Sequence, residues 1–125
     1  MKNRILVVED EIINAILLQK LLEKEYADTI CKIVATGEEA IDEILLHHYK
    51  LIIMDIILAG ELNGIETVHI IQEKYNINIP VIYLTASSER STFLKAKETK
   101  MIDYINKPFN DFKLNKALKK GLGSQ

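Results

Sequence analysis

Asp55 closes an unbroken apolar run, Leu51-Ile52-Ile53-Met54, and three other apolar runs are followed by groups that could act with it. Glu9 and Asp10 follow Ile5–Val8, Thr85 follows Val81–Leu84, and Lys107 stands just beyond Met101–Ile105. Glu9, Asp10 and Asp55 would place two or three negative charges and hard oxygen donors in one pocket. Mg²⁺ is the natural occupant, because it takes a few carboxylates together with waters and phosphate oxygens. A carboxylate can also attack phosphorus to give an aspartyl phosphate, while a metal, a hydroxyl and an ammonium neutralise the transferring oxygens. Asp55, Thr85 and Lys107 would then hold separate jobs. Acids at strand ends are common surface residues and alone would signify little; Thr85 and the Lys107-Pro108 pair raise the set above that background.

These residues need elements that bring them together. Ile5–Val8, Ile30–Ala35, Leu51–Met54, Val81–Leu84 and a weaker Met101–Ile105 read as strands, apolar on both faces as a buried parallel sheet requires. Between them lie segments of helical period. Glu11–Tyr26 carries Ile13, Ile16, Leu17 and Leu21 as a core-facing stripe. Thr36 and Glu39 form a capping-box pattern ahead of Ile41, Ile44 and Leu45. Ile65, Val68, Ile71 and Tyr75 mark a third helix. Ser88–Lys97 is a poorer one, with Ser91 and Thr92 inside it, as suits a mobile element. Asn110 can cap a last helix with Leu114, Ala117, Leu118 and Leu122 inward, ended by Gly121 and Gly123. Fivefold β-α alternation implies a parallel sheet covered on both faces through right-handed crossovers. Such sheets place ligands at the carboxyl ends of their strands, which is where the candidate residues fall.

The bulk properties exclude more than they assign. The 125 residues are 48% hydrophobic and 27% charged, as expected of one domain over 1–125. Sixteen basic against 18 acidic residues give a net charge of −2, which points to neither nucleic acid nor an acidic membrane. One cysteine, Cys31, precludes an internal disulfide and reads as a small buried or edge-strand residue. Only four apolar residues follow Met1-Lys2-Asn3-Arg4, too few for a signal peptide or membrane span, so a cytoplasmic location is expected. His47, His48 and His69 have no metal-ligand spacing with other residues and read as surface or helix-end histidines.

From end to end the chain resembles the receiver domain of two-component response regulators. The resemblance is carried by Ile5-Leu6-Val7-Val8-Glu9-Asp10-Glu11, Ile53-Met54-Asp55-Ile56, Gly64-Ile65-Glu66, Pro80-Val81-Ile82-Tyr83-Leu84-Thr85-Ala86 and Tyr104-Ile105-Asn106-Lys107-Pro108-Phe109. It implies a flavodoxin-like (βα)5 α/β sandwich with strand order 2-1-3-4-5. It implies Asp55 as phosphoacceptor, and Glu9, Asp10, Asp55 and the backbone carbonyl of Ile57 as ligands of Mg²⁺, for which Mn²⁺ can substitute. Thr85 would bond the phosphoryl group, Lys107 would pair with it, and Tyr104 would be the aromatic switch. A cis Lys107-Pro108 bond would aim the lysine. A sensor histidine kinase or histidine phosphotransfer protein would donate the phosphoryl group, and the changed surface would meet a downstream partner that one sequence does not name. The surface of the fourth helix, fifth strand and fifth helix would serve for such contacts, phosphorylation-dependent homodimerisation among them. The domain would catalyse its own phosphorylation and dephosphorylation, as a signalling module rather than an enzyme of turnover.

One loop departs from the commonest pattern. Ala59 and Asn63 stand where many receivers have proline and glycine, and Gly64 comes one place later, so the loop is one residue longer; Gly60 is suited to a positive φ there. This resembles a subgroup often found beside sensory kinase or PAS modules. Glu9 in place of aspartate is a frequent variation that leaves room for metal. By family experience the side chains at Ile57 and Ser87 govern dephosphorylation, and apolar Ile57, positioning no water, implies a long-lived phosphoryl state. Tyr104 reads equally as a half-buried strand aromatic. Lys113, Lys116, Lys119 and Lys120 form a solvated face or an edge for an acidic partner. Three rivals remain. A haloacid-dehalogenase-like phosphatase needs a second acid where Ile57 stands. A receiver-like docking domain would work without phosphorylation. A flavin-binding flavodoxin-like protein would need a glycine- or hydroxyl-rich phosphate loop after Val8. No effector segment is expected after the last helix, so the chain reads either as a stand-alone receiver or as one cut from a larger protein.

Overall fold

The apolar runs Ile5–Val8, Leu51–Met54 and Val81–Leu84 bury both of their faces, and the pleat sends alternate side chains into two separate cores; the two edge runs are partly open, with Ile30 exposed. In the computed structural model, which describes residues 2–123, the strands are β1 (Asn3–Val8), β2 (Thr29–Val34), β3 (Leu51–Met54), β4 (Val81–Thr85) and β5 (Asp103–Asn106). They form one parallel sheet in the order β2-β1-β3-β4-β5, the flavodoxin-like arrangement expected. The helices are α1 (Ile12–Glu25), α2 (Gly37–Leu46), α3 (Gly64–His69), α4 (Arg90–Ala96) and α5 (Asp111–Leu122), and α3 runs on as a π-helical turn, Ile70–Lys74. Ile5, Val7, Leu51, Ile53, Ile82 and Leu84 face α1 and α5. Leu6, Val8, Ile52, Met54, Val81 and Tyr83 face α2, α3 and α4.

The inward face of α1 differs from the expected stripe. Ala15, Leu18 and Leu22 are buried, with Leu21 packed at the margin, whereas Ile16 is exposed and Ile13 and Leu17 are 71% and 61% exposed. Apolar side chains occupy nearly every position of the first two turns, so periodicity could not single out the buried face. In α2, Ala40 and Ile44 are buried while Leu45 is exposed. Thr36 caps α2 as expected, its hydroxyl accepting from Glu39 N–H at 3.1 Å. Glu39, however, reaches back to the amide of Ala35 rather than that of Thr36, so the box is only half formed.

Two boundaries also shift. β5 begins at Asp103, two residues later than expected. α5 continues through Gly121 and stops at Gly123, where φ is 82°. Cys31 is buried on edge strand β2, where burial first and Glu23 second push its thiol up to about 12. The three histidines are exposed. Lys119 and Lys120 lie exposed in the last turn of α5, where cations complement the helix dipole. No helix among the described residues is long and apolar enough to cross a membrane.

Candidate functional site

Parallel pairing sets the strand ends side by side. Val8 is in register with Met54, and the Asp55 amide donates to the Val8 carbonyl at 3.0 Å, so Glu9 and Asp55 emerge next to each other. Thr85 pairs with Asn106, and the Lys107 amide donates to the Thr85 carbonyl at 2.8 Å, which carries Lys107 over the same end of the sheet. Glu9 and Asp55 are buried, 6% and 7% exposed, while Asp10 is open to solvent. One carboxylate oxygen from each of the three acids lies within 4.8 Å of the others.

The Lys107 ammonium bridges the two buried acids, 2.5 Å from Glu9 Oε1 and 3.3 Å from Asp55 Oδ2. Burial acts to lower its pKa, but hydrogen bonds and charge attraction from Glu9 and Asp55 outweigh that and hold it above the usual lysine value. The other oxygen of Asp55, Oδ1, accepts from Ile57 N–H at 3.3 Å, and Glu9 Oε2 accepts from Glu11 N–H at 3.2 Å. Hard oxygens with a cation already between them are the donor set of a small divalent metal, so Glu9, Asp10 and Asp55 fit Mg²⁺. The Lys107-Pro108 peptide is cis.

Thr85 is fully buried, and its hydroxyl oxygen accepts from Ser87 N–H at 3.2 Å, which leaves its own hydrogen for another acceptor. Tyr104 is half-buried. Its ring packs edge-on against Phe93 of α4, with centroids 5.1 Å apart, and tilted against Tyr83 at 6.1 Å. The Tyr104 hydroxyl is buried and has no hydrogen-bond partner among the described residues; burial pushes its pKa up, and the nearby Ser87 side chain only partly offsets this.

Behind Asp55 lies a contact that the sequence reading did not assign. Gly64 at the start of α3 sits so close that a Cβ there would fall 2.1 Å from the Asp55 carbonyl oxygen, and its amide donates to the Ile56 carbonyl at 2.8 Å. Asn63 and Glu66 close a full capping box over this turn, at 2.8 and 2.9 Å. The Asn63-x-x-Glu66 spacing carried that signal. Gly60 has the positive φ expected of it, 91°.

The five-stranded parallel sheet with an acidic cluster at its strand ends defines a receiver-type architecture, and comparison with known proteins agrees. Residues 5–119 match the family model described as the response regulator receiver domain, and the chain belongs to that family. It is similar to the transcriptional regulatory protein YvrH of Bacillus subtilis, 34% identical over 88% of this chain and 45% of the relative. It is also similar to CrdR of Helicobacter pylori, 26% identical over 96% of this chain and 55% of the relative. The chain thus spans about half the length of the curated relatives it matches. Among solved structures, the response regulator TrrA of Thermotoga maritima in complex with Mg(2+)-BeF is 33% identical, with a TM-score of 0.81 over 96% of this chain and 98% of that one. The receiver domain of a Pseudomonas aeruginosa sensor histidine kinase, with a magnesium ion coordinated in its active site cleft, is 28% identical, with a TM-score of 0.84 over 99% and 100%.

Proposed function

We propose that residues 1–125 act as one phosphoacceptor receiver in a cytoplasmic two-component phosphorelay, with Asp55 taking a phosphoryl group from a phosphohistidine of a sensor kinase or phosphotransfer protein. The observation that carries this reading is the Lys107 ammonium held between Glu9 and Asp55 at the shared end of four strands. A carboxylate oxygen of Asp55 forms the new O–P bond as the P–N bond of the donor breaks, and the departing imidazole nitrogen keeps the electron pair. Glu9, Asp10, Asp55 and the Ile57 carbonyl would hold Mg²⁺, which would supply charge neutralisation at the phosphoryl oxygens. Lys107 then pairs with a phosphoryl oxygen, and the free hydroxyl hydrogen of Thr85 donates to another.

The exposed surface supports a protein as donor. Ile12, Ile13, Ile16 and Leu17 on the first turns of α1, Ile57 two residues beyond Asp55, and Phe112 at the start of α5 leave apolar side chains uncovered on segments that follow the strand ends carrying the acids. Between α1 and the Lys107-Phe109 turn runs a cleft of about 710 Å³ lined by Leu17, Leu21, Pro108 and Phe109. Exposed apolar groups around a charged pocket mark a protein-binding rim.

The contacts of Thr85 and Tyr104 support a route from the phosphoryl group to an output surface. Thr85 drawn toward a phosphoryl oxygen gives up the Ser87 amide, which opens the connection into α4. Phe93 of α4 packs on Tyr104, so a shift of α4 frees or traps that ring. Tyr104 is accordingly the switch residue, biasing the surface of α4, β5 and α5 between two arrangements for a downstream partner or a second copy.

The test is to incubate the purified protein with a small-molecule phosphodonor, with and without Mg²⁺, and to follow intact mass beside Asp55→Asn. A Mg²⁺-dependent gain of one phosphoryl group, absent from the variant, is expected. No gain, with metal binding established separately, would leave a docking domain that works without phosphorylation.

A further inference from the structure

The connection between β3 and α3 carries the peptide groups closest to Asp55, and its extra residue has to be accommodated without disturbing them. It is seated on the N-terminus of α2. Thr36, the N-cap of α2, pairs with Ala59 in an isolated parallel bridge. The Glu61 amide donates to Glu38 Oε2 at 3.3 Å. At Gly60, a Cβ would stand 3.1 Å from Glu38 Oε1 and 3.5 Å from Thr36. Gly37 is buried under the far side of the connection, where a Cβ would lie 2.0 Å from Thr67 Oγ1 and 3.1 Å from Leu62 Cβ. Thr67 in turn donates its hydroxyl to the Asn63 carbonyl at 2.8 Å, and the next residue, Gly64, is pressed against the Asp55 carbonyl. A continuous set of contacts therefore runs from the first turn of α2, through both ends of the loop, to the backbone of the phosphoacceptor.

We propose that Gly37 and Glu38 are positioning residues for the Mg²⁺ site: the α2 N-terminus holds the lengthened β3–α3 connection in the one conformation that keeps the Ile57 carbonyl and the Asp55 carboxylate in register. This rests on Asp55, Glu9 and Asp10 binding Mg²⁺. Neither residue touches the metal or the phosphoryl group. Gly37 acts by letting α2 and α3 approach, Glu38 by accepting the Glu61 amide at the tip of the loop.

Calorimetric Mg²⁺ titration of the full chain, with the melting temperature of each variant, tests it. Loss of one loop hydrogen bond in Glu38→Ala is expected to weaken Mg²⁺ binding about threefold with little change in melting temperature. Glu38→Gln keeps an acceptor oxygen and is expected to bind as the native protein does. The steric displacement in Gly37→Ala is expected to weaken binding about tenfold. Leu122→Ala, which loosens the core far from the loop, is the control: it should lower the melting temperature and leave Mg²⁺ affinity alone. Native affinity in both Glu38→Ala and Gly37→Ala overturns the inference while leaving the phosphoacceptor reading intact. Equal weakening in Glu38→Ala and Glu38→Gln assigns the effect to charge and overturns the positioning role. If Gly37→Ala does not fold, the Glu38 pair decides. A native protein that binds no Mg²⁺ overturns the reading of the site and the inference with it.

Discussion

Replacing Lys107 by methionine keeps most of the apolar stem and removes the charge between Glu9 and Asp55. The side chain is 19% exposed and its two partners are buried, so the substitution leaves two carboxylates facing each other with little water to screen them. Breaking a fully buried pair costs about 3–5 kcal/mol, and the partial access of water at Lys107 reduces this to about 2 kcal/mol. For a chain of this length that is a fall of roughly 6–10 °C in melting temperature without metal. Mg²⁺ should act in the opposite direction, because it no longer competes with an ammonium for the same oxygens. The variant should therefore bind Mg²⁺ more tightly than the native protein and regain more stability from it. The pH dependence has a definite sign. The folded pKa of Lys107 is raised, so the stability it contributes is fully present below the unfolded lysine value of 10.5 and is lost only as pH rises through the folded one. The native-variant gap should thus stay constant through neutrality and close in strong alkali. Urea unfolding followed by circular dichroism, with and without Mg²⁺, together with calorimetric Mg²⁺ titration, measures both effects. Equal metal-free stability, or weaker Mg²⁺ binding in Lys107→Met, would refute the argument that the ammonium stands in for a cation.

Three further outcomes are expected. Ile57→Asn places an amide able to orient water beside the phosphoryl group and should speed phosphate loss several-fold; faster loss from the native protein than from the variant counts against this. Ile13→Asp with Leu17→Asp should lower kcat/KM for a histidine-phosphorylated protein donor by about 30-fold, as expected for loss of apolar anchors, while leaving phosphorylation by a small-molecule donor unchanged; equal losses with both donors would place the effect in the site instead. Gly64→Ala forces a methyl against the Asp55 carbonyl and should cost about 2–3 kcal/mol in urea unfolding, and a loss under about 0.5 kcal/mol would mean that the turn relaxes freely.

Much of this protein could be read along the chain because its signals are local. Strands apolar on both faces announce a buried parallel sheet, and β-α alternation fixes which strand ends lie together, so Glu9, Asp10, Asp55, Thr85 and Lys107 could be gathered before any coordinates were known. The caps at Thr36 and Asn110 were legible for the same reason, since the side chain bonds an amide three residues on at 3.1 and 2.9 Å. α1 was not legible. With Ile12, Ile13, Ala15, Ile16, Leu17 and Leu18 in two turns, several faces are apolar enough to bury, and only the docking of Ala15, Leu18 and Leu22 against β1, β2 and α5 selects one.

Propensity, period and motif act over a few residues, so the order of strands and helices, the residue types at the strand ends and the family could all be read along the chain. What happens between segments far apart in the chain depends on the packed fold. It set Lys107 between Glu9 and Asp55, pressed Gly64 on the Asp55 backbone, seated the β3–α3 connection on α2, and turned the isoleucines of α1 outward beside the site. The first three are contacts across 9 to 98 positions, and all four are fixed by sheet register and helix docking rather than by any local preference of the residues involved.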